Sequence, residues 1–322
     1  MRISILHVVL ALMTLGMVVS PTQAGSVTFG SGSNSFTMNF ATIGNPGNAP
    51  DTTGNPNPAG SVAYTYEMGK FEVSEDMITK FNASQSLQIT KNTRGADKPA
   101  TSVSWNEAAR FVNWLNTSTG GFAAYKFTTG GVNDNIALWT SADTLDYDAA
   151  NPYRSKRATY VLPSYNEWYK AAYYNPNDST YFDFPNGSNT APTAVASGTI
   201  ANTAVYNGQS GPADVEQAGG LSPYAVMGLG GNVLEWEESS YFLTNSSNSS
   251  ARGIRGGNWG YDSVNLSSSS RVFNDPSGEG LDVGFRVASL ASSAAPVPEP
   301  SMMVMATLLG LGGYIGKRRM KK

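Results

Sequence analysis

Gly228-Leu229-Gly230-Gly231-Asn232-Val233-Leu234-Glu235-Trp236-Glu237-Glu238 decides how this chain is read, together with Arg252-Gly253-Ile254-Arg255-Gly256-Gly257-Asn258-Trp259 after a Ser/Asn-rich interruption. Glycine lets the backbone turn through positive φ or approach another group closely. The Val233–Trp236 run behind the glycines is apolar and β-prone. Alternation along a strand sends Leu234 and Trp236 to one face and Glu235 to the other. Two readings then stand. Glu235 is a solvated residue on an edge strand, or its face is covered too and it needs a partner, because a lone buried carboxylate is expensive. A hard cation with nearby glycine carbonyls is one such partner.

Composition narrows the chemistry. There are no cysteines, and the single histidine, His7, lies in a segment expected to be removed. A mature chain without thiol or imidazole excludes disulfides, Ser–His–Asp triads, Cys–His pairs, zinc sites of the usual kinds and copper–thiolate chemistry. Acid/base work could come only from Asp, Glu, Lys or Tyr. Metals would be oxygen-loving ones, Ca²⁺ first. The 34 glycines and 14% charged residues suggest a loop-rich exported protein, and 16 Tyr, 13 Phe and 6 Trp suffice to fill a core. A two-carboxylate hydrolase, for instance through Asp262 and Glu235, has no supporting spacing.

Both ends read as address labels. Residues 1–24 have a basic start at Arg2, an apolar run from Ile3 to Val19, and Thr22-Gln23-Ala24 before a cleavage point: a signal peptide. Residues 291–322 hold a small-residue spacer, Val297-Pro298-Glu299-Pro300-Ser301, an apolar run from Met302 to Ile315 and a basic end from Lys317 to Lys322. The run falls short of the ~20 residues a stable span needs, and its cations would stay on the cytoplasmic side. Without Arg2 and the five tail cations, 15 basic residues remain against 24 acidic ones, a net charge near −9. That argues against nucleic acid as a partner.

Between the labels, residues 25–60 hold a candidate strand pair, Ser26–Phe29 and 35–40, then a Gly/Asn/Pro-rich stretch that reads equally as flexible leader or surface Ω-loop. Residues 62–72 read as a strand. Ser74 caps a short helix with Met77, Ile78 and Phe81 on one face. Ser104 with Glu107 and Ser164 with Glu167 have the spacing of capping boxes. They open helices whose apolar faces are Trp105, Ala108, Phe111, Val112 and Leu115, and Trp168, Ala171 and Ala172. Residues 120–157 look like an insertion with solvated acids. Residues 175–223 are a long polar loop in need of a staple, for which Ca²⁺ is a candidate.

Gly231-Asn232-Val233-Leu234-Glu235-Trp236, Arg255-Gly256-Gly257-Asn258-Trp259 and Gly284-Phe285-Arg286-Val287, in this order, resemble the signature of the formylglycine-generating enzyme or sulfatase-modifying factor family. Glu72-Val73-Ser74 and the two capped helices are similar to further family elements. The resemblance implies one α+β domain over residues 61–290, C-type-lectin-like, with much irregular loop structure. It implies a Ca²⁺ site at Gly228, Gly231, Val233 and Glu235, and a cleft for peptide or polysaccharide beside Asn258, Trp259, Tyr261 and Arg271. On the residues alone, Trp259 reads equally as core, with Arg271 paired to an acid such as Asp282. The family's catalytic copper is held by two cysteines, and those positions fall on Tyr261 and near Leu266. Cu(I) needs soft ligands. The expectation is therefore a non-catalytic binding or structural module with structural calcium and no copper; the alternative is an oxidoreductase of the formylglycine-generating type acting on protein cysteine. The C-terminal stretch resembles the PEP-CTERM sorting signal of bacterial exported proteins. It implies an exosortase-type protease as partner, transient inner-membrane anchoring through the tail, and a destination in the cell envelope or extracellular matrix.

Overall fold

The computed structural model describes residues 25–290, so both address labels lie outside the described residues. The fold is α+β with two main sheets and three helices. The five-stranded sheet runs, in spatial order, Ser26–Phe29, Phe36–Ile43, Tyr66–Gly69, Ala288–Ser289 and Tyr160–Val161, every neighbouring pair antiparallel. The first and last strands of the described chain thus meet in one sheet. Residues 25–60 are not a loose leader. The first half of Phe36–Ile43, residues 36–39, pairs with Ser26–Phe29 and its second half, residues 40–43, with Tyr66–Gly69, and Phe29, Phe40 and Ile43 are in the core. The stretch after it is tied to a helix: Asn166 accepts from the Gly60 backbone N–H at 2.7 Å, and Tyr169 donates to Asp51 at 2.5 Å. The strand expected over residues 62–72 is shorter, Tyr66–Gly69.

Helix α1 (Glu75–Ser84) is capped by Ser74 and buries Ile78 and Phe81. Helices α2 (Trp105–Ser118) and α3 (Tyr165–Tyr173) both carry complete capping boxes. Reciprocal satisfaction of two end donors fixes where each helix starts. Their predicted apolar residues are all fully buried.

The second sheet has the order Val272–Asn274, Arg252–Arg255, Leu234–Ser240, Val283–Gly284, the last pair parallel. Leu234–Ser240 is an interior strand and every one of its residues is buried. The Trp236 indole N–H donates at 2.9 Å to the carbonyl of Val103, which lies just ahead of α2. Glu235 points toward α3. The Glu235 face is therefore covered, and the edge-strand reading is excluded.

Residues 120–157 place Tyr125, Ile136 and Tyr153 in the core, and their acids are partly paired: Asp146 with Arg157 at 2.7 Å and Asp143 with Lys126 at 2.9 Å. The polar segment 175–223 packs in a small cluster with Leu266 from a later part of the chain, through Ala204, Tyr206, Phe184 and Ala194. Among the described residues no helix is long and apolar enough to cross a membrane.

Candidate functional site

The 234–240 strand carries three carboxylates with no exposed surface, Glu235, Glu237 and Glu238. Each has found arginine. Arg286 donates Nε to Glu235 Oε2 at 2.6 Å and Nη2 to Glu235 Oε1 at 2.5 Å, a two-pronged pair. Trp168 of α3 adds an indole N–H to Oε2 at 2.7 Å. Burial alone would push the Arg286 guanidinium down; the Glu235 carboxylate more than offsets this and holds it above the ordinary arginine range. Glu237 takes two arginines, Arg255 at 2.6 Å and Arg271 at 2.7 Å. Glu238 shares Arg154 with Glu167, the capping-box glutamate of α3, and accepts from Tyr125 at 2.9 Å and Asn151 at 2.5 Å. Four glutamates thus meet four arginines.

A bulge makes this crowding feasible. The register between the 234–240 and 252–255 strands shifts between Arg252 and Ile254. It departs from strict alternation and lets the adjacent Glu237 and Glu238 both be enclosed. Gly253 sits against the Glu237–Arg271 pair, where a β-carbon would lie 2.1 Å from Glu237 Oε2. Only glycine leaves room there.

The geometry bears on the expected site residues in two places. The first is the expected calcium set Gly228, Gly231, Val233 and Glu235, where the fit of the carboxylate can be examined. Glu235 accepts three hydrogen bonds, two from a full positive charge, and has little left to offer a metal. As folded, this carboxylate does not fit a Ca²⁺ ligand. The organic cation Arg286 does for the buried charge what a metal was expected to do. The glycines of the stretch serve the turn instead. Gly231 has φ +80°, and a β-carbon on it would fall 2.3 Å from the Val205 carbonyl. Gly228 packs flat against the Glu72 carboxylate, and Val233 is core. Among the described residues no group of three or more His, Cys, Asp or Glu could hold a metal. The melting temperature is expected to be the same in EGTA as in calcium; a fall of several degrees on chelation would overturn the assignment.

The second is Arg271. It is buried behind Glu237 and donates to the Ser240 and Tyr241 carbonyls. It does not share a surface with Trp259, and its acid is Glu237, not Asp282.

The other three residues of the expected cleft do form one unit. Asn258 is buried and organises a turn: its Oδ1 accepts from the Gly260 and Tyr261 backbone N–H groups at 2.8 and 2.9 Å, and its Nδ2 donates to Asp282 at 2.5 Å. The turn is pinned to the glycine-rich stretch by Trp259 N–H to the Asn232 carbonyl at 3.0 Å, and to residues 207–209 by two further backbone bonds. Trp259 is half-buried, and Tyr261 is 41% exposed. Arg94, which no sequence motif singled out, stacks 4.9 Å from the Trp259 ring. It is held there by Thr101 Oγ1 at 2.5 Å and the Leu281 carbonyl at 2.8 Å. A fixed guanidinium on an indole beside an exposed phenol is a rigid polar–aromatic surface. Of the two positions onto which the family's thiols fall, Tyr261 is on this surface and Leu266 is wholly buried in the small cluster.

The family described as Sulfatase-modifying factor enzyme 1-like domain matches residues 17–291. Among solved structures, Treponema denticola variable protein 1 is similar at 19% identity and a TM-score of 0.55, covering 82% of this chain and 98% of that one. CarF is similar at 18% identity and a TM-score of 0.54, covering 78% of this chain and 97% of its own. At such identities the likeness speaks to fold alone. No curated protein sequence matches the chain.

Proposed function

The chain belongs to the family of Sulfatase-modifying factor enzyme 1-like domains, and on that premise we propose that it is a non-catalytic binding module, exported to a bacterial envelope or extracellular matrix. The observation that carries this reading is the pair Tyr261 and Leu266. A phenol and a buried alkyl chain stand where the resemblance expects thiols, and the whole sequence has no cysteine to replace them. That place offers no thiolate pair to hold Cu(I). What the fold presents at that place is the Arg94–Trp259–Tyr261 surface, suited to a peptide or a polysaccharide. Export rests on the residue pattern of 1–24, and sorting by an exosortase-type protease on that of 291–322. Intact mass of the secreted protein tests both. Calcium is not part of the proposal, since the donors already on Glu235 argue against it.

A peptide and glycan array probed with the mature body is expected to give a defined set of hits. Tyr261→Ala should weaken them at least tenfold, about 1.4 kcal/mol, with the melting temperature kept because Tyr261 is exposed. Oxygen consumption with a cysteine peptide and copper would overturn the reading in favour of an oxidase.

A further inference from the structure

The start of α3 and the segments 61–64, 148–154 and 239–245 enclose an open cleft of about 420 Å³, within the size range of small-molecule sites. It shares no residue with the Arg94–Trp259–Tyr261 surface. The Tyr64 ring lines it and is 42% exposed, yet its far end is fixed. The Tyr64 hydroxyl donates to Glu167 Oε1 at 2.6 Å and accepts from Arg154 Nη2 at 3.2 Å. An aromatic face anchored in this way gives up little freedom when a ligand stacks on it. Arg154 also lines the cleft, 3.0 Å from Glu167 and 3.5 Å from Glu238. Two buried carboxylates thus share its one charge, no other cation is on the walls, and Asp148 is exposed among them. The remaining polar groups are neutral. Tyr165 and Asn166 both line the cleft, and the hydroxyl of the one and the Nδ2 of the other have no partner among the described residues. Asn166 spends only its Oδ1, on the Gly60 N–H. Ser239 Oγ accepts from the Tyr165 backbone N–H at 3.2 Å and keeps its own O–H to donate.

We propose that this cleft binds a neutral mono- or disaccharide unit, with the Tyr64 face against the C–H side of a sugar ring and the Tyr165 hydroxyl, the Asn166 amide and Asp148 on the sugar hydroxyls. A sugar has an apolar face and a girdle of hydroxyls, each both donor and acceptor, and the cleft supplies a counterpart to both. An anionic ligand would find Arg154 outnumbered by its own carboxylates and would be repelled by Asp148. An extended peptide would find no sheet edge to pair with, since the walls are loops and a helix start, with Ser239 from an interior strand. A wholly apolar ligand would strand the free hydroxyls and the amide without partners.

A site this open holds its ligand too weakly for the washes of an array, so binding is read in solution by saturation-transfer NMR and calorimetry. The probes are cellobiose, lactose and N,N′-diacetylchitobiose, with digalacturonate as the anionic counterpart. At least one neutral disaccharide is expected to bind the folded chain at millimolar concentration, and digalacturonate not to. Tyr64→Ala should bind at least tenfold more weakly than Tyr64→Phe; both lose the Glu167 contact, so the difference reports the ring alone. Tyr165→Phe removes only a hydroxyl with no internal partner and should weaken binding about fivefold, the worth of one hydrogen bond, at an unchanged melting temperature. Tyr261→Ala should leave this binding as it is. The proposal is overturned if no neutral disaccharide binds, if digalacturonate binds as tightly, or if Tyr64→Ala matches Tyr64→Phe while Tyr165→Phe has no effect. Loss of binding in Tyr261→Ala alone would overturn it too, by placing the sugar on the other surface and leaving that surface's role standing.

Discussion

Glu237→Ala is expected to destabilise the protein by about 5 kcal/mol, the top of the range for breaking a buried ion pair. For a domain of this size that lowers the melting temperature by roughly 10–20 °C. The reason is the stoichiometry of the site. One carboxylate, wholly buried, holds Arg255 and Arg271, which are 1% and 7% exposed. Its removal leaves two guanidinium groups facing one another in a space closed to water, with carbonyls of Ser240, Tyr241, Ser268 and Ser270 as their remaining acceptors. Replacing all three residues together by apolar ones of similar volume should recover much of the loss, because the large cost lies in stranding a charge and not in lacking the pair. Thermal and urea melts of the single and triple variants measure both effects. A single variant within 1 kcal/mol of the parent would show that water reaches these arginines.

Arg286→Met should cost about 4 kcal/mol by the same physics with the signs exchanged. Glu235 would keep only the Trp168 indole as donor, deep between the sheet and α3. The substitution also removes the guanidinium that joins Gly69, Met227 and Glu235, three separate parts of the chain, at 2.5 to 2.9 Å. The double variant Glu235→Leu with Arg286→Met should be more stable than Arg286→Met alone, giving a coupling energy of at least 2 kcal/mol in a double-mutant cycle. Additive losses would mean that Arg286 acts through the carbonyls and not through Glu235. A calcium-dependent rescue of Arg286→Met would return the metal to Glu235 and sink the fit argued above.

Much of the fold was legible because its signals are local. Ser104 and Glu107 cap a helix by their own backbone geometry, as do Ser164 and Glu167, and the apolar spacing behind them says which face is buried. The three ordered motifs around Trp236, Trp259 and Arg286 identified the family and the fold. The partners of the buried charges were not legible. Glu235 reads as needing a cation, yet nothing local says that Arg286 supplies it, and Arg271 looks like a surface recognition residue until Glu237 is seen beside it. Arg94 carried no motif at all; only the return of the chain past Leu281 brings it onto Trp259. The strand pair read at Ser26–Phe29 and 35–40 is present, but where it docks was not legible. Residues 40–43 are held by a strand 23 or more positions later, Tyr66–Gly69, and loop-like composition on one side of a strand does not forecast its pairing.

The sequence by itself determined the helix starts, the apolar faces, the family and the absence of cysteine, since each depends on residue type or on spacing within a few positions. Tertiary structure alone decided which arginine meets which glutamate, and that Glu235 is enclosed. Those outcomes depend on where distant segments come to rest and on the exclusion of water between them, which strengthens or penalises a charge by several kcal/mol without leaving any mark in the order of the residues.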